Sequence, residues 1–370
     1  MNDFRNKFNF IDLSLSNGWK VDSWLATSCM MIMCFSVFVV FSASNESSHM
    51  ITSHIKSNLV ALMAFVVVSR VHVTYFKQLS IKFYIAVLIL LIMVPLFGDL
   101  RMGARRWLDL GFVSFQPSEL AKLAVPMACA VIVSRFGLFK NFKNIALGFL
   151  VVIAPCALIA RQPDLGTALM VAGSGVALMF FAGLSFKLVF GAFALLGAGW
   201  PFIWNDLLKG YQKERILSAL NPERDPLGAG YHVLQSKAAI GSGGIDGAGW
   251  LNGVQTHLGF IPEQHTDFIF SVIGEELGFV GFIILMLLYG SLLVRLGYLV
   301  YKLDDLYAKT FTCSVIAIIF TYYFVNIGMV SGILPVVGVP LPLISYGGTA
   351  TVSLMCSIGV VSAFSTQNLD

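Results

Sequence analysis

Runs of about 20 apolar residues recur along the whole chain, each long enough to cross a hydrocarbon core of roughly 30 Å as a helix. About ten such runs are centred near Met33, Phe65, Ile89, Cys129, Ile153, Gly175, Ala194, Phe282, Ile318 and Met355. A soluble fold could not hide this much apolar surface: 57% of the 370 residues are hydrophobic and 12% are charged, against roughly a quarter charged in soluble domains. Mean hydropathy is +0.81. The expected fold class is an all-α polytopic membrane protein with about ten transmembrane helices, forming a single membrane domain over residues 1–370. A cleaved leader does not fit the first run, because Asp3, Asp12 and Asp22 precede it. The six cysteines lie inside apolar runs without paired ligand spacing and read as small hydrophobes. A net charge of +4, with Lys and Arg scattered between the runs, lends nucleic-acid binding no support.

Alternating loops differ in charge, and short loops rich in Lys and Arg face the cytoplasm. One set holds Lys20, Arg70, Lys77, Lys82, Arg135, Lys140, Lys143, Lys187, Arg295, Lys302 and Lys309, together with Arg5 and Lys7, and is expected inside. The opposite short loops hold Lys56, Arg101, Arg105, Arg106 and Arg161. Both termini are then cytoplasmic, as residues 1–22 and a short tail at 365–370, and a long loop over 209–267 between helices seven and eight is extracytoplasmic. The tail lacks Lys and Arg, so the charge rule does not support the tenth crossing.

Helices four, six, eight and ten begin on that outer side, each through a polar segment with proline: Gln116-Pro117-Ser118-Glu119, Gln162-Pro163-Asp164, Pro262 to Asp267, and Pro342 to Gly348. Proline suits a helix start, where its missing N–H would be unpaired anyway. Four helix N-termini on one face, with free N–H groups and partial positive charge, also suit an anionic ligand such as phosphate. Glu119 and Lys122 share a face one turn into helix four. They read either as an interfacial ion pair with the lysine snorkelling outward or as a substrate contact, and the two are compatible. The basic and aromatic segment Gly103 to Phe112 reads as lying in the headgroup region, where an arginine could also hold a phosphate.

Asp267 sits where the long loop enters helix eight. An acid in a first turn most often compensates the helix dipole, but Glu263, His265 and Asp267 crowd one cavity mouth. His257 and His265 lack a recognisable metal-ligand spacing. Within the long loop, the middle reads as a short helix between mobile turns. Its glycines at 241–249 could cradle a phosphate, although no Walker spacing follows them.

With these residues assembled, the chain resembles the SEDS proteins of bacterial cell-wall synthesis, those of shape, elongation, division and sporulation. The resemblance is carried by Gly103-Ala104-Arg105-Arg106-Trp107-Leu108, Phe115 to Lys122, Gln162 to Thr167, the long-loop segments, His265 to Phe270 with Glu275-Glu276-Leu277-Gly278, and Pro340 to Gly348. Within the family, Val336 to Pro340 is similar to the elongation branch rather than the division branch. The resemblance implies a ten-helix peptidoglycan glycosyltransferase that polymerises lipid II on the outer face of the cytoplasmic (inner) membrane during elongation and rod-shape maintenance. It implies as partners lipid II, the lipid-linked strand, a class B penicillin-binding protein and other elongation-complex proteins. The family's essential aspartate falls on Asp267, and its Glu and Lys of the fourth helix on Glu119 and Lys122.

Attack by a sugar hydroxyl of lipid II on the anomeric carbon of the growing strand, with inversion and loss of lipid pyrophosphate, needs a base, for which Asp267 is the candidate. Pyrophosphate needs cations, for which Arg106, Lys122, Lys213, Arg215 and Lys237 are candidates, with Gln162, Asp164 and Ser345 at the helix starts as further substrate-binding positions. A divalent cation, Mg2+ or Mn2+, is expected only as one shared with substrate, and no organic cofactor is expected. Rival readings are a flippase for lipid-linked precursors, a division-branch polymerase and a scaffold. Polar residues deep in several helices would favour transport, but here the polar groups crowd at the outer ends.

Overall fold

The computed structural model describes residues 21–101, 104–109, 111, 114–224, 228–261 and 263–367. The readings placed on Arg5, Lys7, Lys20, Gly103, Leu110, Phe112, Pro262, residues 225–227 and residues 368–370 lie outside the described residues. Helices stand at the apolar runs: α1 (Ser23–Ala43), α2 (Ser48–Ser69), α3 (Val73–Phe97), α4 (Pro117–Phe136), α5 (Phe142–Arg161), α6 (Leu165–Phe181) and α7 (Phe186–Ala198). Beyond α7 the chain turns by 53° into Trp200–Asp206, which opens with the single turn α8 (Trp200–Phe202). The long loop contains α9 (Gly210–Leu220), α10 (Ala229–Gly243) and α11 (Val254–His257). Then come α12 (Ile269–Glu276), α13 (Gly278–Lys302), α14 (Leu306–Val330) and α15 (Gly348–Thr366).

Seven of these helices are long and apolar enough to cross a membrane, or eight counting the bent pair after α6. The chain is a multi-pass membrane protein with an all-α bundle. Two helices at expected runs differ in kind: α6 has 17 residues, and α4 carries Glu119, Lys122 and Arg135. α4 is the central post, packed against α3, α5, α6, α14 and α15. Sixteen of its 20 residues are buried, and its alanines let the neighbouring helices approach closely.

Three features refine the expectations. The stretch after α3 forms a small antiparallel sheet, β1 (Asp99–Arg101), β2 (Ala104–Asp109) and β3 (Ser114–Phe115), in the order β1-β2-β3. Alternation along β2 buries Ala104 and Leu108 and sends Arg105 outward. Helix eight is not continuous. It breaks at Leu277 and Gly278, the latter at φ +59°, into the wholly buried α12 and the spanning α13. The long loop, finally, is mostly helical, and two of its glycines, Gly243 and Gly247, pack against the backbone of α12. A side chain at Gly243 would meet the carbonyl oxygen of Gly274 at 1.9 Å, so α10 and α12 touch backbone to backbone.

Hydrogen bonds tie the long loop down onto α1. Glu276, 3% exposed, accepts from Ser42 Oγ (2.5 Å) and lies 3.2 Å from His257 Nε2, whose Nδ1 is 3.0 Å from Asn45 Oδ1. Gln264 donates to the Ala43 carbonyl (2.9 Å). At the other end of the bundle Arg295 forks onto Asp22 (2.7 to 3.2 Å), which caps α1 and accepts from Ser365 on α15. Lys77 pairs with Asp305 there at 2.6 Å.

Candidate active site

The starts of α4, α6 and α12 and the segment 331–347 before α15 converge at one end of the bundle. Asp164 caps α6 by accepting from Thr167 N (3.2 Å), and its other oxygen accepts from Gln116 Nε2 (2.9 Å), the residue before α4. Arg106 reaches from β2 to the carbonyls of Gln162 (3.4 Å) and Pro163. Gln162 turns the other way and donates to Leu91 O in α3 (2.9 Å). Gly166 lies so near Val337 that a side chain there would clash at 2.7 Å, which sets the start of α6 against the 331–347 segment.

Asp267 lies in the turn ahead of α12, half-buried. Its main-chain carbonyl accepts from Asn326 of α14 (2.8 Å), whose amide also donates to Val339 O (2.7 Å). Its Oδ2 sits beside Gly338, 3.1 Å from where a Cβ would stand. Burial pushes the Asp267 carboxyl up to about 6, with Glu263 and Asp164 adding to the rise and Arg215 opposing it. Burial also lowers His265, against the pull of Glu263. Ser345 accepts from Leu341 N (2.8 Å) and donates to Thr266 O (2.6 Å), and Tyr346 N donates to His265 O (2.9 Å). The approach to α15 is thereby stitched to the Asp267 turn.

Below this turn lies a cavity lined by Glu119, Lys122, Tyr322, Ser345, Ser353 and apolar residues of 340–343. Lys122 donates to Glu119 (2.6 Å) and to the Tyr322 hydroxyl, and Ser353 Oγ donates to Glu119 O (2.8 Å). Each member of the ion pair is 7% exposed. The lysine therefore does not snorkel outward: it is turned into the bundle, and the pair is interior.

The expected site residues divide accordingly. Glu119, Lys122 and Ser345 share the cavity, while Asp267 with Asp164 and Arg215 forms a second group above it. Arg106 and Gln162 hold backbone carbonyls. Lys213 donates to Asn205 O (3.4 Å), and Lys237 lies along Gly332. Among the described residues, no group of three or more His, Cys, Asp or Glu could hold a metal ion. Tyr322 and Asn326 join the site only in the structure, although polar side chains four residues apart in an apolar run are a signal in membrane helices. Glu275 and Glu276 contributed to the resemblance without a role. Glu275 proves to be a loop anchor, accepting from Gln255 N, Thr256 N and Thr256 Oγ1.

Comparison with known proteins identifies relatives of the chain. Residues 19–369 match the cell cycle protein family FtsW/RodA/SpoVE. Peptidoglycan glycosyltransferase MrdB of Escherichia coli K12 is 43% identical over 99% of this chain and 98% of its own length. A chain of a solved peptidoglycan synthase complex, described as coordinating polymerization and crosslinking, superposes with a TM-score of 0.81 at 32% identity, covering 93% of this chain and 97% of that one. The rod shape determining protein RodA of Thermus thermophilus gives 0.70 at 28% identity, over 93% and 96%.

Proposed function

The chain belongs to the FtsW/RodA/SpoVE family and is a peptidoglycan glycosyltransferase of the cell-shape kind, and from this we propose that it polymerises lipid II by an inverting displacement with Asp267 as general base. The observation that carries this reading is the Asp267 carboxyl, raised to about 6 and set above the Glu119–Lys122 cavity. A base whose pKa lies just below neutral is ionised at working pH and still binds a proton usefully. In the step, the incoming sugar hydroxyl bonds to the anomeric carbon of the lipid-linked strand and its proton passes to Asp267. The bond from that carbon to the pyrophosphate oxygen breaks, and the electron pair leaves with the pyrophosphate. Lys122, Arg215 and the N-termini of α4 and α6 are the proposed partners for that charge. Asp164 holds the starts of α4 and α6 together, and Ser345 keeps the cavity wall against the Asp267 turn.

A divalent cation would help neutralise the pyrophosphate. The described residues do not converge into a metal cage, so such a cation is proposed to arrive shared with substrate, and no step is drawn through it. The site end is proposed to face outward, together with the loop over 209–267. The basic residues Arg70, Lys77, Lys82, Arg135, Lys140, Lys143, Lys187, Arg295, Lys302 and Lys309 lie at or near the opposite loops, which supports that orientation. A class B penicillin-binding protein is the proposed partner, in keeping with the polymerization and crosslinking named for the similar synthase complex.

The test is labelled lipid II given to purified protein with that partner, comparing wild type with Asp267→Ala. Glycan from the wild type alone is expected. Normal polymer from Asp267→Ala would remove the base assignment, and movement of lipid II across vesicles without polymer would favour transport. Reactivity of a single cysteine at Gly244 only from the cytoplasm would reverse the orientation.

A further inference from the structure

We propose that Asn326 is a positioning residue for the reaction: its amide fastens the main chain of Asp267 to that of Val339, and so holds the carboxylate at its place above the cavity. The inference rests on the reading of Asp267 as base. Asn326 is fully buried on α14 and donates one N–H to Asp267 O (2.8 Å) and the other to Val339 O (2.7 Å). Both partners are carbonyl oxygens, so only the nitrogen can face them and the orientation of the amide is unambiguous. Its own oxygen, Oδ1, is buried without a partner. An unpartnered buried carbonyl is costly, and a leucine would pack here without it. The amide is retained at that cost for its two donated bonds.

Those bonds join the two segments that flank the carboxylate. Asp267 is held from the turn before α12, and Val339 follows Gly338, the residue next to Asp267 Oδ2. Four residues earlier on the same face of α14, Tyr322 takes a hydrogen bond from Lys122. One rigid helix therefore references both the base and the buried cation, and fixes how far apart they stand. Small displacements of a reacting group are costly to rate, which is what such a ruler prevents.

The test compares wild type, Asn326→Leu, Asn326→Ser and Asp267→Asn in complex with the partner, measuring polymerisation of lipid II across pH 5 to 9. Leucine removes both donors while keeping the branched shape of the side chain, and serine is too short to reach both carbonyls. Each Asn326 variant is expected to lower kcat at least tenfold with KM within about twofold. Each is also expected to move the acid limb of the profile down by about one pH unit, because a loosened turn admits water to the carboxylate that Glu263, Asp164, Arg215 and His265 surround. A merely structural role would instead lower the active fraction with the profile unmoved, and that result overturns the proposal. So does a folded Asn326→Ser with wild-type rate and profile, should Asn326→Leu fail to accumulate. Full activity in Asp267→Asn defeats the base reading itself, whereas a dead Asp267→Asn beside normal Asn326 variants defeats the positioning role alone.

Discussion

Tyr322 and Asn326 stand on successive turns of α14, the first against the buried Lys122 and the second against the main chain of Asp267. The two halves of the site come from distant parts of the chain, and this helix relates them. Several measurable consequences depend on that arrangement.

Asp267 accepts a proton only as the carboxylate, so polymerisation should fall as pH drops below about 6. At pH 7.5, Asp267→Asn should cost about 10² to 10⁴ in rate. Its effect on stability should have the opposite sign. The folded-state value lies above the ordinary 3.8, so the folded protein binds the proton more tightly than the unfolded chain, and the ionised group destabilises the fold above about 6. Asp267→Asn should therefore be more stable than wild type at pH 7.5, by about 1 to 3 kcal/mol. That gap should close as pH falls from 6 towards 4, which thermal melts across the range would check.

Removing one partner of the Glu119–Lys122 pair leaves a buried charge uncompensated. Glu119→Gln alone should cost about 3 to 5 kcal/mol. Adding Lys122→Met should restore most of the melting temperature and none of the glycan. A double variant that polymerises normally would make the pair purely structural.

Gly338 has φ +76°, and a Cβ added there would stand 3.1 Å from Asp267 Oδ2. Gly338→Ala should cost about 1 to 3 kcal/mol through backbone strain. The rate should fall further than that loss of folded protein accounts for. Parallel melts and polymerisation assays separate the two effects.

Glu276 fastens the long loop to α1 through Ser42 and His257. Glu276→Ala should lower stability by about 2 to 3 kcal/mol. It should also speed tryptic cleavage after the exposed Lys237, read by mass spectrometry. Cleavage at the wild-type rate would show that the loop is held elsewhere.

A cation shared with pyrophosphate predicts that a chelator lowers polymerisation while leaving the substrate-free melting curve in place. A chelator-induced drop in that melting temperature would instead indicate a resident site formed by the chain.

The sequence by itself determined the bundle and its two chemically unlike ends, because spanning length and loop charge are local properties of consecutive residues. It also singled out Asp267, Glu119 and Lys122, since ionisable groups at the edge of apolar runs are conspicuous. Only the tertiary structure decided which way those groups face. The Glu119–Lys122 pair is interior because α14 and α15 close over it, and Gln162 serves a carbonyl of α3, 71 positions earlier. Asp267 is joined to α14 across 59 positions and Ser345 to Thr266 across 79. The break at Gly278 escaped the periodic pattern because it depends on a backbone approach to Ile245 and Gly247, which no run of neighbouring side chains records. The sheet at 99–115 is local, but its strands of two to six residues are too short to show a period.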